Sequence, residues 1–157
     1  MDKKTKDLII LIVSIVAVVS TLFLPFYSAG GMSMTFMEVL DKASALGANS
    51  GIGDYLVFAS IIGGGIAIYF AAVKQRKNTM ICSIVGAGGL GLFILILSGE
   101  LSKVTGGQAS AFDIIGAGVW IALIAYIANI VLCAKEDAVV PPPVYPGNDQ
   151  FNNPNQY

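Results

Sequence analysis

The chain of 157 residues is 55% apolar and only 12% charged, with no histidine and a net charge of -1. A soluble domain carries about 25% charged residues, so this composition excludes an ordinary water-facing globule and matches a polytopic membrane protein. The missing histidine removes the commonest metal ligand and the usual acid–base group near neutral pH. Cys82 and Cys133 lie within apolar runs, unlike the cysteines of a secreted disulfide framework.

Met1 to Asp7 is a charged tip with Lys3, Lys4 and Lys6. Residues 8–27 form the first predicted span, about 20 residues or 30 Å of helix. Ser14, Ser20 and Thr21 are its polar interior residues, and their hydroxyls can bond back to carbonyls of the preceding turn. Pro25 is placed to close or kink it. A cleaved signal sequence also begins with a basic tip and an apolar run. This run exceeds the roughly 7–15 residues of such signals, and cleavage after Ala29 would set bulky Tyr27 where a small residue is wanted. Retention as a membrane helix is therefore the expectation.

The polar connection 28–54 contains one organised stretch. Thr35 and Glu38 have capping-box spacing. Phe36, Met37, Leu40, Ala43 and Leu46 then recur near helical spacing, and Gly47 supplies a stop. The pattern predicts a short amphipathic helix over 36–46, lying on the membrane interface, packed on its own bundle, or contacting a partner through Phe36, Met37 and Leu40.

The second predicted span covers 55–73, with Gly63, Gly64 and Gly65 at its centre. The third covers 80–97 and carries Gly86, Gly88, Gly89 and Gly91. Small residues four apart, as in Ala59-Gly63-Ala67, Ser60-Gly64 and Ser83-Ala87-Gly91, are the pattern of close helix contact in membranes. The two spans are joined by Lys74-Gln75-Arg76-Lys77-Asn78. So short a connection predicts antiparallel neighbours, with Gly64 and Gly88 at their contact. A second loop over 98–113 leads to the fourth predicted span, 114–134, with Gly118 among its small residues and Asn129 as its one amide. Ser110 and Asp113 are placed to cap that span. Residues 135–157 change composition to a Pro- and Asn-rich tail with too few apolar residues to fold alone.

The expected fold is thus an all-α bundle of four transmembrane helices over 1–134, built from two hairpins, with an extracytoplasmic amphipathic helix and a disordered C-terminal tail. Seven basic residues fall on the side of the termini and of Lys74, and two, Lys42 and Lys103, on the other. The positive-inside rule then puts both termini in the cytoplasm. The lack of an Asn-X-Ser/Thr acceptor, and of a cysteine pair in the outer loops, suits a bacterial cytoplasmic membrane.

Candidate chemistry is sparse. None of the predicted spans contains a charged residue, whereas proton relays and ion pathways normally place some there. Gly86-Ala87-Gly88-Gly89-Leu90-Gly91 lacks the lysine of a phosphate loop and the acidic partner of a dinucleotide fold, so helix packing is its plainer reading. No nucleophile–base pairing supports an enzyme, and no cofactor, metal site or nucleic-acid partner is expected. In the tail, Pro142-Pro143-Val144-Tyr145 resembles the PPxY ligand of WW domains. A solvated spacer is the simpler account of it. The reading that follows is a non-enzymatic membrane protein, in contact with the lipid bilayer, acting through a protein partner or as a homo-oligomer. A small passive channel or carrier is the alternative, and an immunity protein against a membrane-active toxin is a third.

Overall fold

The computed structural model describes residues 2–45, 52–107 and 110–135. They run in the order α1 (Lys3–Phe23), β1 (Pro25–Ala29), β2 (Met32–Thr35), α2 (Phe36–Ala45), α3 (Ile52–Ala72), α4 (Arg76–Thr105), α5 (Ala111–Ile114) and α6 (Ala117–Ala134). Four of them, α1, α3, α4 and α6, are long and apolar enough to cross a membrane. They pack in the cyclic order α1–α3–α4–α6, each against the two beside it.

The long helices are inverted relative to those of a soluble bundle. Much of their inward stripes is small or polar, with Ser14, Ala17 and Thr21 in α1, Ser60, Gly64 and Ala67 in α3, Thr79, Ser83 and Gly86 in α4, and Ala122, Ala125 and Asn129 in α6, beside larger buried residues such as Val57, Leu90, Val119 and Tyr126. Their outward faces carry Ile12, Ile62, Leu95 and Ile124, at 50–68% exposure. A small-residue interior lets backbones approach closely, and the large apolar side chains are left to meet the surroundings. Ser14 and Thr21 bond back within α1, to the carbonyls of Ile10 and Ala17 at 2.8 and 2.9 Å.

The boundaries differ from the sequence expectation in ways with local causes. Helix α1 begins at Lys3 rather than 8 and ends at Phe23, because Pro25 disfavours helical backbone at Leu24, which is extended (φ -86°, ψ 161°). The chain then forms a β-hairpin that the reading of 28–54 as a polar connection missed. Its two-residue turn is Gly30-Gly31, with φ of +58° and +80°, the double left-handed conformation that a tight hairpin needs and glycine supplies. The pairing of β1 with β2 is antiparallel, with Tyr27 opposite Met34 and Ser28 opposite Ser33, and an irregularity between Pro25 and Tyr27.

The basic connection is shorter than expected. Arg76, Lys77 and Asn78 already belong to α4, leaving 73–75 as the turn. Lys74 sits there at φ +60°, and the Gln75 amide reaches back to the Phe70 carbonyl at 2.9 Å, a helix C-cap of the kind usually given to glycine. At its other end α4 runs on to Thr105, eight residues past the expected end at 97. It stops where Gly106 takes φ +60° and the Gly107 amide bonds to the Ser102 carbonyl at 3.1 Å. Ser110 and Asp113 do not cap the fourth long helix. They form a capping box on the single turn α5, with the Ser110 amide donating to Asp113 at 2.9 Å. Ile115 then bridges to Tyr27 and the Gly116 amide donates to the Phe26 carbonyl at 2.8 Å, so α6 starts only at Ala117.

Candidate functional site

The hairpin, α2 and α5 gather at one end of the bundle and form a cap. Phe26 and Phe36 anchor it, each 1% exposed. The Phe26 ring lies 5.1 Å from Phe36 and 5.2 Å from Phe93 of α4, and Phe36 lies 5.5 Å from Phe58 of α3. Such aromatic pairs add about 0.5–1.5 kcal/mol each beyond their burial. The start of α2 is held by the capping box that its spacing predicts. The Thr35 amide donates to Glu38 at 2.7 Å and the Glu38 amide donates to the Thr35 hydroxyl at 3.3 Å. The Thr35 amide foremost, and then the Thr35 hydroxyl donating to the same carboxylate at 3.1 Å, hold the Glu38 carboxyl below its usual range.

Beneath the cap is a cavity of about 140 Å³ lined by Tyr27, Asp54, Phe93 and Glu100 among others. Burial, and secondarily the charge of Asp54, push the Tyr27 phenol up to about 12. The phenol therefore stays neutral across the physiological range. A neutral phenol beside carboxylates can hold and orient a polar group, but it supplies neither a nucleophile nor a general base near neutral pH. No group of three His, Cys, Asp or Glu is placed to hold a metal among the described residues.

The residues singled out for partner contact separate. Phe36 is interior, where it fills the aromatic cluster. Leu40 is half-buried and packs against the same core. Met37 alone of the three is exposed, at 47%. The stripe of α2 thus seats the helix on its own bundle. Pro142, Pro143 and Tyr145 lie outside the described residues. Among the described residues the most exposed large apolar side chains at this end are Val104 near the tip of α4, at 85%, and Met32 in β2 and Ile52 in α3, each at 72%. Val104 was missed, because α4 was expected to end at 97.

The packing glycines separate too. A Cβ added at Gly63 would meet the Cys82 carbonyl at 3.3 Å, and one at Gly118 the Ser20 carbonyl at 2.6 Å. Gly86 backs onto Gly63, where an added Cβ would lie 3.6 Å from the Gly86 amide nitrogen, and Gly64 and Gly86 also share a larger neighbour. They form the two sides of a slot for Tyr126 of α6, whose ring is fully buried and whose hydroxyl donates to the Ser60 carbonyl at 2.9 Å. Gly65, Gly88 and Gly91 have nothing within 4 Å of an added Cβ. Gly88 is exposed and its Cβ position faces away from the described residues of α3. The close contact with α3 falls to Gly89, where a Cβ would lie 2.8 Å from the Leu56 carbonyl. The contact stripe of α4 follows Ser83, Gly86, Gly89, Leu90 and Phe93 instead of Ser83-Ala87-Gly91.

Polar groups continue down the interior. The Asn129 amide nitrogen donates to the Ser14 hydroxyl at 2.8 Å, tying α6 to α1. The Asn129 oxygen and the Ser83 hydroxyl are buried with no hydrogen-bond partner among the described residues. At the end opposite the cap, Arg76 pairs with Asp7 at 2.7 Å, and buried Lys6 donates to the Lys135 carbonyl. Charged groups therefore do enter the described bundle, but at the first turns of α1 and α4, where the sequence expectation had placed a loop and a tip.

Comparison with protein-family models, curated proteins and solved structures finds no match to this chain.

Proposed function

We propose that the protein is a small, non-enzymatic integral membrane protein with four spanning helices and both termini in the cytoplasm, and that it acts through protein contacts made by its outer cap. The observation that carries this reading is the cap itself. Helix α4 has 30 residues, about 45 Å at 1.5 Å per residue, against a hydrocarbon core of about 30 Å. Its last turns therefore project beside the hairpin and α2. Two strands, a capped helix and an aromatic anchor fix a surface outside the bilayer that presents Met32, Met37 and Val104. Methionine offers flexible, polarizable contact area suited to a protein partner.

The test is site-specific photocrosslinking in native membranes, with the probe at Met37 or Val104 and, for comparison, at Ile124 on the lipid-facing side. Discrete crosslinked protein bands from the cap positions and none from Ile124 are expected. Bands only from Ile124 would move the interaction to the helices and overturn the role of the cap.

The buried Ser14, Ser83 and Asn129 side chains support a second reading, a passive pore that is closed in this conformation. Polar residues of three helices share one closely packed interior. Conductance in liposomes that rises with Tyr126→Ala, which empties the centre of the bundle, would favour the pore.

A further inference from the structure

We propose that the groove between α1 and α3 at the end opposite the cap is a binding site for one anionic phospholipid. The proposal rests on the membrane reading above and names a ligand for its inner face. The groove has a volume of about 320 Å³, room for about ten water-sized groups. Leu8 and Leu11 of α1 and Ala71 and Ala72 of α3 form its apolar part. Lys4 and Lys74 stand at its end, one turn before Leu8 and two residues beyond Ala72. Both lysines are exposed. Apolar walls leading to paired cations are the order of groups that an acyl chain and its phosphate require, and basic pockets between helices on the cytoplasmic side are where anionic headgroups bind.

Two further observations fit this occupant. Asp7 also lines the groove, but its carboxylate is held by Arg76 at 2.7 Å, so its charge is already balanced and does not repel a phosphate. Lys74 occupies a left-handed position, φ +60°, where glycine would be less strained. A cation there comes at the expense of local backbone energy.

The experiment uses the full-length protein in mixed micelles containing phosphatidylglycerol or phosphatidylcholine with identical acyl chains. Bound lipid is counted by native mass spectrometry, and unfolding is followed thermally. Wild-type protein is expected to retain phosphatidylglycerol selectively and to unfold at higher temperature with it. Each lysine should contribute about fivefold in affinity, so that Lys4→Gln with Lys74→Gln lowers it about twenty-five-fold. Ala72→Trp, which fills the groove, should remove selective binding with the lysines intact. Lys74→Gly separates binding from folding. It should be at least as stable as wild type without lipid, yet lose its share of the phosphatidylglycerol shift.

Equal retention of the two lipids would overturn the proposal. So would an equal loss with Lys77→Gln, a basic residue of the same end that does not line the groove, since that would mean diffuse charge attraction. An identical shift from inorganic phosphate would replace the lipid site with a simple anion site. Carbonate-resistant membrane fractionation is run alongside. A soluble chain sinks the membrane reading itself, whereas a membrane-bound chain without lipid selectivity sinks only the groove.

Discussion

Substituting Gly86 by alanine tests the organisation of the bundle centre more sharply than any change in a charged residue. The added Cβ would lie 2.6 and 2.7 Å from Cε1 and Cζ of the Tyr126 ring, against about 3.5–4.0 Å for carbon atoms at rest. The ring must move by roughly 1 Å to restore that separation. It has no slack on the other side, because Gly64 lies against its hydroxyl and that hydroxyl is bonded to Ser60 at 2.9 Å. Overpacking costs about 1–3 kcal/mol, and a weakened hydrogen bond adds about 1 kcal/mol. Replacing glycine within a helix returns up to about 1 kcal/mol, leaving a net loss of about 1–3 kcal/mol. Gly88→Ala is the control, with open space at its Cβ, and should be neutral or slightly stabilising. Unfolding in mixed detergent and SDS micelles measures both. Tyr126→Leu in the Gly86→Ala background should show coupling of opposite sign to the two single losses. If Gly86→Ala matched wild type while Gly88→Ala lost stability, the assignment of inward and outward faces on α4 would be wrong.

Other expectations concern the cap, the core amide and the orientation. Leu40→Asp should lower thermal stability as well as any cap-dependent interaction, because the side chain packs on the core; an unchanged melting temperature would return Leu40 to the surface. Asn129→Leu should change stability by less than about 1 kcal/mol, since it removes one interhelical bond of modest value and also one unpartnered acceptor. The Glu38 cap stabilises α2 only while ionised. Its folded pKa lies below the ordinary value of 4.5, so the contribution is present above that value and lost as pH falls through the folded one. Hydrogen exchange of the first α2 amides should accelerate on acidification through that window in wild type, and Glu38→Gln should show no such step. In a background lacking both cysteines, single cysteines at Ser33 and Ser102 should react with an impermeant thiol reagent in intact cells and one at Gln75 should not; the reverse pattern would invert the topology.

What the sequence disclosed and what it withheld divide along a physical line. Long apolar runs, the Thr35–Glu38 box and the glycine-rich character of α3 and α4 are local properties, and local physics sets them. The cap was harder to read because its elements exist through contacts across the chain. Gly30-Gly31 between two short runs is itself a hairpin signal, yet β1 is fixed as much by Ile115 and Gly116, about 90 residues later, as by its own sequence. The end of α4 was misplaced because hydropathy marks where a membrane would stop, not where a helix does. Thr105 is followed by Gly106-Gly107, and those glycines, not the last leucine of the apolar run, close the helix. The glycines of α3 and α4 carry the same lesson at the scale of one residue. Gly86, Gly88 and Gly89 look alike in sequence, but a helix turns about 100° per residue, so three neighbours cannot share one face. Which of them matters was decided across the bundle, by the Tyr126 ring of α6 at Gly86 and the Leu56 carbonyl of α3 at Gly89, neither of which a spacing rule connects to them. In a bundle whose interior is rich in small residues, a large buried ring such as Tyr126 sets where glycine is needed beside it. A hydropathy profile records that ring as just another apolar position in the fourth span.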